Sequence, residues 1–340
     1  MDHLGGLLWT QQSWLEQASS WIDRELHQQS IKQIGSIKQL RVRHWSTILQ
    51  VPTSVGSLYF KAVVSDLAYE AALTQALSHR YPHCMPQILA IVREQGWLLM
   101  HDGGMMLRET LKTEDDIQHW ENLLPIYAKV QQDSARYLQE LLELGVPDRR
   151  LASLPAKFQQ LLADTEILAL NHSCGLSLLE YQCLQNKADL LVNLCEQLAT
   201  FGIPETLHHG DLHDKNVFFS NEQYMFFDWG DSSVTHPFFS LHSTYSSLEK
   251  RFNLRKNSLW FKQLRKCYLD EWVEYETKER LEEAFELAQQ LSPILAILRW
   301  LPVLSSMDAT NRNKYIEAVP DLLREFLSMI QKDDDHRKDL

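Results

Sequence analysis

The stretch from Leu207 to Asp231, LHHGDLHDKNVFFSNEQYMFFDWGD, constrains this chain more than any other, because no other segment sets so many polar side chains between short apolar runs. Val217 to Phe219 and Tyr224 to Phe227 are apolar and are separated by Ser220, Asn221, Glu222 and Gln223, a pattern that predicts a tight hairpin. Asp211 precedes the first strand, Asn216 opens it and Asp228 follows the second, so the hairpin carries all three to one end. Carboxylate and amide oxygens gathered there suit a hard divalent cation, magnesium foremost. Zinc would call for nitrogen or sulfur.

Asp211 lies five positions before Asn216. That is the interval of the kinase catalytic loop, in which an Asp meets the substrate hydroxyl and an Asn holds a metal. Asp228 takes the place of the metal-holding Asp that opens the DFG motif. Read as His209, Gly210, Asp211, Leu212, His213, Asp214, Lys215, Asn216 and then Asp228 with Trp229, the segment resembles the aminoglycoside phosphotransferase and choline kinase family, small-molecule relatives of the protein kinases. The resemblance implies Asp211, His209 and His213 as catalytic residues, Asp211 meeting the acceptor hydroxyl and His209 buttressing the loop, and Asn216 and Asp228 as the metal ligands. His213 stands where protein kinases commonly carry a lysine, which favours the small-molecule branch. Taken singly, Asp and Asn are turn formers and a His beside a strand is a hydrogen-bonded core group. The assignment rests on the set.

At 340 residues, 44% hydrophobic and 23% charged, the composition is that of a globular protein with room for two separate cores. Cys84, Cys174, Cys183, Cys195 and Cys267 are odd in number, widely spaced and never in a CxxC pair, which indicates neither a disulfide framework nor a metal cluster and fits a reducing cytoplasm. No basic segment followed by an apolar core opens the chain, and Leu291 to Leu304 is interrupted by Pro293, Arg299 and Pro302, so neither a signal peptide nor a membrane span is expected. The formal net charge of -12 argues against a nucleic-acid partner and suits a cationic small-molecule substrate.

Upstream, Thr10 to Leu26 reads as an amphipathic helix capped by Thr10, with Trp14, Ala18, Trp21 and Ile22 on the face that folds back on the first lobe. Ile31 to Val42, Ser46 to Val51 and Gly56 to Val64 read as three antiparallel strands. The turn from Arg41 to Ser46 has no glycine to cradle a phosphate, which leaves Arg41, Arg43 and His44 as phosphate contacts or as ordinary exposed turn cations. Lys61 in the third strand and Glu70 in the helix from Asp66 to Arg80 look like the kinase pair that sets the α and β phosphates, the other reading being a surface salt bridge. Ile88 to Val92 and Trp97 to Met100 are further strands, and His101 to Gly104 a hinge. The resemblance places adenine against the backbone of Leu99, Met100, His101 and Asp102. Met105 and Met106 read as gap-filling core.

After the hinge the chain is helical, with Leu123, Tyr127 and Val130 on one face and Leu184, Ala188, Leu191, Cys195 and Leu198 on another. Arg149 and Arg150 read as solvated loop charges, and Asp231 either caps a turn or lines the acceptor site. The fold expected is therefore α+β and bilobal, protein-kinase-like: a small antiparallel-sheet lobe with a leading helix over 1–100, a hinge at 101–104, a helix-rich lobe over 105–330 holding the hairpin, and a charged, disordered tail over 331–340. The activity implied is ATP- and magnesium-dependent phosphoryl transfer to a hydroxyl of a small molecule. A silent nucleotide-binding module need not keep both Asp211 and Asn216, and a protein kinase would show an APE-like element after Asp231, which this chain lacks.

Overall fold

The computed structural model describes residues 7–113, 116–170, 172–254 and 258–338. Contacts divide the chain into two compact units, Met1–Thr110 with Lys215–Gly230, and Leu111–Asp214 with Asp231–Leu340.

In the first unit, β1 (Lys38–Val42), β2 (Ser46–Thr53), β3 (Gly56–Val63), β4 (Ile88–Val92) and β5 (Trp97–His101) form an antiparallel sheet in the order β1-β2-β3-β5-β4. Alternation of side chains along the strands gives it two different faces. Leu49, Phe60 and Leu99 share one register row and are buried on one face, while Ile48, Lys61 and Leu98 share the next and lie on the other. Helix α1 (Gln12–Gln28) covers the first face, with the rings of Trp14 and Trp21 at 6.1 and 5.7 Å from Phe60. Truncating such a core aromatic, as in Trp21→Ala, costs about 3–5 kcal/mol. Helix α2 (Tyr69–Arg80) lies on the second face, where Ala71 packs with Leu98 and Met100.

Two boundaries differ from the sequence reading. Thr10 does not cap α1; it closes a 3-10 turn over Leu8–Thr10, its Oγ1 donating to Leu7 O at 2.7 Å. The run Ile31–Ile37 is not strand and makes only a bridge from Gln33 to Thr53, because the chain bends at Gly35 beside Pro52, which has no N–H for a ladder.

Further along come β6 (Met105–Met106) and α3 (Leu107–Thr110), then β7 (Thr206–His208) of the second unit, then β8 (Val217–Ser220) and β9 (Gln223–Phe226). The last two are the expected hairpin, paired from Val217 with Phe226 to Ser220 with Gln223. Its turn is Asn221 and Glu222, with φ of +49° and +62°, the positive values that match strand twist in a two-residue loop. The sequence sets this hairpin in the helical lobe; contacts group it with the first unit, since β8 pairs with β6 and Phe226 N donates to Cys84 O at 2.9 Å. Met105 and Met106 are not core: they are 53% and 39% exposed, and as the edge of that small sheet they contribute backbone pairing rather than side-chain filling.

The second unit holds α4 (Ile117–Ser134), α5 (Leu138–Glu143), α6 (Leu154–Ala163), α7 (Leu178–Asn186) and α8 (Ala188–Ala199), followed by β10 (Ser233–Thr235) and α9 (Leu241–Phe252). It continues with α10 (Leu259–Asp270), α11 (Lys278–Ser305), α12 (Ala309–Arg312) and α13 (Ala318–Lys338). Leu123, Tyr127 and Val130 are buried as their spacing predicts. Arg149 is not a solvated charge: it is buried, and its guanidinium donates to Leu298 O at 2.7 Å. Helix α13 runs to Lys338, so the expected disorder from 331 is helix instead, since adding turns to a nucleated helix costs far less than starting one; 339 and 340 lie outside the described residues. Helix α11 is long and apolar enough to span a bilayer by length and composition, but Leu291, Ile294 and Ile297 on it are core residues of this unit.

Candidate active site

Two clusters of ionisable side chains stand out, one in each unit. In the first, period-two alternation turns Lys61 away from the aromatic core and under α2, whose first turn carries Glu70. Lys61 Nζ donates to Glu70 Oε1 at 2.5 Å and also to Asp228 Oδ1. Lys61 and Glu70 are 5% and 2% exposed, so this is no surface salt bridge. Burial alone would lower the Lys61 pKa, but the two carboxylates outweigh it and hold the ammonium charged. Gly230 keeps the space beside this pair open: a Cβ there would come within 2.9 Å of Glu70 Oε2, an oxygen that is buried and has no hydrogen-bond partner among the described residues.

Asp228 sits two residues beyond β9 in a left-handed conformation, φ +65°, of the kind that collects at functional sites. Phe227 N donates to Asn216 O at 3.2 Å, which ties together the two hairpin ends that carry Asn216 and Asp228. Their donors are all oxygens, so the set fits a hard cation such as magnesium. Arg41 reaches the same carboxylate, Nη2 lying 3.8 Å from Asp228 Oδ2. A cavity here is lined by Arg41, Lys61 and Asp228 on its polar side and by Ile48, Leu98 and Met100 on its apolar side.

Of the residues expected beside adenine, Met100 lines this cavity, whereas the Leu99 side chain points into the aromatic core because it is one position out of phase. His101 ends β5, and its N–H is given to Gln87 O at 2.9 Å. Asp102 Oδ1 accepts from Gly104 N at 2.9 Å. The next residue must be glycine, since a Cβ on Gly103 would meet Phe218 Cδ2 at 2.1 Å.

The second cluster is built on β7, which α4 fastens through side chains: Leu207 N donates to Ser134 Oγ at 2.8 Å, Gln131 Nε2 to Leu207 O at 3.3 Å, and His209 N to Tyr127 Oη at 3.0 Å. The loop then turns at Gly210, φ +83°, where a Cβ would lie 2.0 Å from Asp231 O. Only glycine fits both the angle and the gap. Asp211 follows. Its N–H donates to His209 Nδ1 at 3.3 Å, and its Oδ2 lies 3.2 Å from His213 Nε2. Its Oδ1 accepts from Arg299 Nη1, which also donates to Gly210 O at 3.0 Å and lies 3.9 Å from Asp231 Oδ2. Burial would raise the Asp211 pKa, but Arg299 and His213 outweigh it and hold the carboxyl well below the usual range. His213 in turn is raised: burial opposes its charge, and the Asp211 hydrogen bond more than restores it.

Arg299 is the site residue that sequence reasoning missed. The signal was present, a lone arginine in the apolar run Leu291 to Leu304, but it read as an argument against a membrane span. Asp231, left between two roles, is an ion-pair partner of the same guanidinium.

A profile of the phosphotransferase enzyme family matches residues 43–257, well over half of the chain and every motif residue named above except Arg41 and Arg299. The chain belongs to that family. It is accordingly a small-molecule phosphotransferase. Solved structures agree on a protein-kinase-like α+β fold. Choline kinase from Cryptosporidium parvum Iowa II is 12% identical, covers 88% of this chain and 90% of its own, and superposes with a TM-score of 0.60. A type I macrolide 2'-phosphotransferase is 13% identical over 90% of this chain and 96% of its own, TM-score 0.55. An amicoumacin kinase in complex with AMP-PNP, calcium and amicoumacin is 12% identical over 91% and 96%, TM-score 0.53. No curated protein sequence matches. The phosphotransferase reading thus rests on the family, and the two clusters on this chain's own geometry.

Proposed function

We propose that the protein transfers the γ-phosphoryl group of ATP, in a magnesium-dependent reaction, to a hydroxyl of a small molecule. The observation that carries this is the buried Lys61 ammonium between Glu70 and Asp228, carboxylates that are 158 positions apart in sequence. A kinase-like enzyme needs a cation at that point for the phosphates and a carboxylate beside it for the metal. Lys61 would hold the α and β phosphates with Glu70 fixing its direction, and the apolar side of the cavity, Ile48, Leu98 and Met100, suits the purine. Asn216 and Asp228 would hold the metal. Magnesium bound there would neutralise charge on the phosphate oxygens.

Asp211 orients the acceptor hydroxyl and receives its proton as the new O–P bond forms and the bond from the γ phosphorus to the bridging oxygen breaks, ADP leaving with that electron pair. Because the transition state is loose, little proton transfer is needed early, and a weakly basic carboxylate suffices provided it is well placed. The net charge of -12 favours a cationic acceptor.

The test is a thermal-shift comparison of ATP with and without magnesium, followed by mass spectrometry of an acceptor library of amino alcohols, aminoglycosides, macrolides and neutral sugars. Addition of one phosphate to a library member is expected, more often among the amines. Asp211→Asn should lower kcat by about 10²–10⁴-fold with ATP binding nearly intact, as removal of a positioned base does. Wild-type turnover in that variant, or no magnesium-dependent nucleotide binding in the parent, would reject the proposal.

A further inference from the structure

Arg299 stands on α11 between apolar residues, its side chain only 21% exposed, where a leucine or methionine would continue the helix face. A guanidinium so placed needs its charge matched, and the structure matches it with Asp211 at hydrogen-bond distance and Asp231 at 3.9 Å. The same Nη1 also takes the Gly210 carbonyl at 3.0 Å. One group therefore grips two consecutive residues of the catalytic loop, the backbone of one and the carboxylate of the next.

We propose that Arg299 is a positioning residue for phosphoryl transfer: by holding Asp211 Oδ1 and Gly210 O together it fixes the carboxylate plane, leaving the Oδ2 edge, shared with His213, to meet the acceptor hydroxyl. This rests on the reading of Asp211 given above. Among the described residues, the charged and titratable groups facing Asp211 include Arg299 from α11, His209 and His213 from its own loop, and Asp231 behind Arg299. Arg299 comes from another element and bonds both the loop backbone and the carboxylate, which sets the orientation of one against the other. All of these contacts leave from one nitrogen, Nη1, whose two N–H bonds lie fixed in the guanidinium plane, whereas the donors of an ammonium rotate. Loss of the guanidinium removes the donor that holds Asp211 Oδ1 against Gly210 O and loosens the carboxylate about its side-chain bonds.

The experiment uses the full chain with magnesium ATP and two readouts: phosphate release with water in the acceptor position, and phosphorylation of the acceptor panel described above. Arg299→Met should lower kcat about 10²-fold, the scale of an ångström's misplacement, while KM for ATP stays within about twofold. Arg299→Lys, which keeps the charge but not the fixed in-plane N–H pair, should recover about tenfold of that loss. In an Asp211→Asn background, Arg299→Met should cost less than about threefold more, because residues that act as a unit are not additive. A purely structural arginine would instead add its full effect in both backgrounds. Unchanged kcat in Arg299→Met, additive losses, or a KM for ATP that rises as far as kcat falls would overturn the inference while leaving Asp211 in place. Should Arg299→Met fail to fold, wild-type kcat in Arg299→Lys would overturn it equally. If Asp211→Asn itself keeps full activity, or the parent protein shows neither readout, the functional reading falls and this inference with it.

Discussion

Lys61 Nζ and Glu70 Oε1 lie 2.5 Å apart with both side chains buried, one on a central strand and the other in the first turn of a helix. Removing one member of such a pair strands the other charge. Glu70→Ala should therefore destabilise the protein toward the lower end of the roughly 3–5 kcal/mol typical of broken buried pairs, since Asp228 still partners the lysine. Urea unfolding of the variant measures this. A change under about 0.5 kcal/mol would mean the pair is screened like a surface one.

Asp228→Ala should leave ATP binding indifferent to magnesium. Asp228 and Asn216 are held at the joined ends of one hairpin, and loss of the carboxylate removes the only anionic donor of that pair. Calorimetric titration with ATP in magnesium and in EDTA checks it. Magnesium-tightened binding in the variant would move the metal elsewhere.

Gly210→Ala should destabilise by about 2 kcal/mol or more, combining the left-handed penalty of an L residue with a contact to Asp231 O that cannot form without movement. The movement falls on the residue before Asp211, so activity should drop in parallel. Melting temperature and kcat of the variant test both halves. Wild-type values for the two would show that the loop adapts freely.

Stability should fall as pH drops below neutrality. His208 and His236 are buried and their pKa values are pushed down to about 3 by desolvation, against an ordinary 6.5. Between those values the unfolded chain binds more protons than the folded one, so stability rises with pH through that window and is fully present above about 6.5. The contribution is up to about 5 kcal/mol for each histidine. A melting-temperature series from pH 8 to pH 4 should slope downward toward acid from about pH 6.5. A flat series would mean both imidazoles are hydrated.

The first cluster was legible in sequence because its members carry period and interval. Alternation in β3 puts Lys61 opposite Phe60, and helical phase puts Glu70 in the first turn above it. The same alternation excludes the Leu99 side chain from the cavity, a consequence available from the sequence once the strand is paired in register. The hairpin was readable from its two apolar runs, but its pairing with β6 was not, because two methionines carry no strand signal of their own.

The sequence by itself determined which chemistry is present: the interval from Asp211 to Asn216, the hairpin that brings Asn216 to Asp228, and the strand lysine with its helix glutamate are all local, set by residue type and by the two periods of backbone geometry. Only the tertiary structure decided the company that Asp211 keeps. Arg299 is 88 positions away on a helix whose own pattern says core, and no local rule connects the two. Their meeting follows from how α11 packs within its unit, a matter of shape and burial summed over many residues rather than of any single motif.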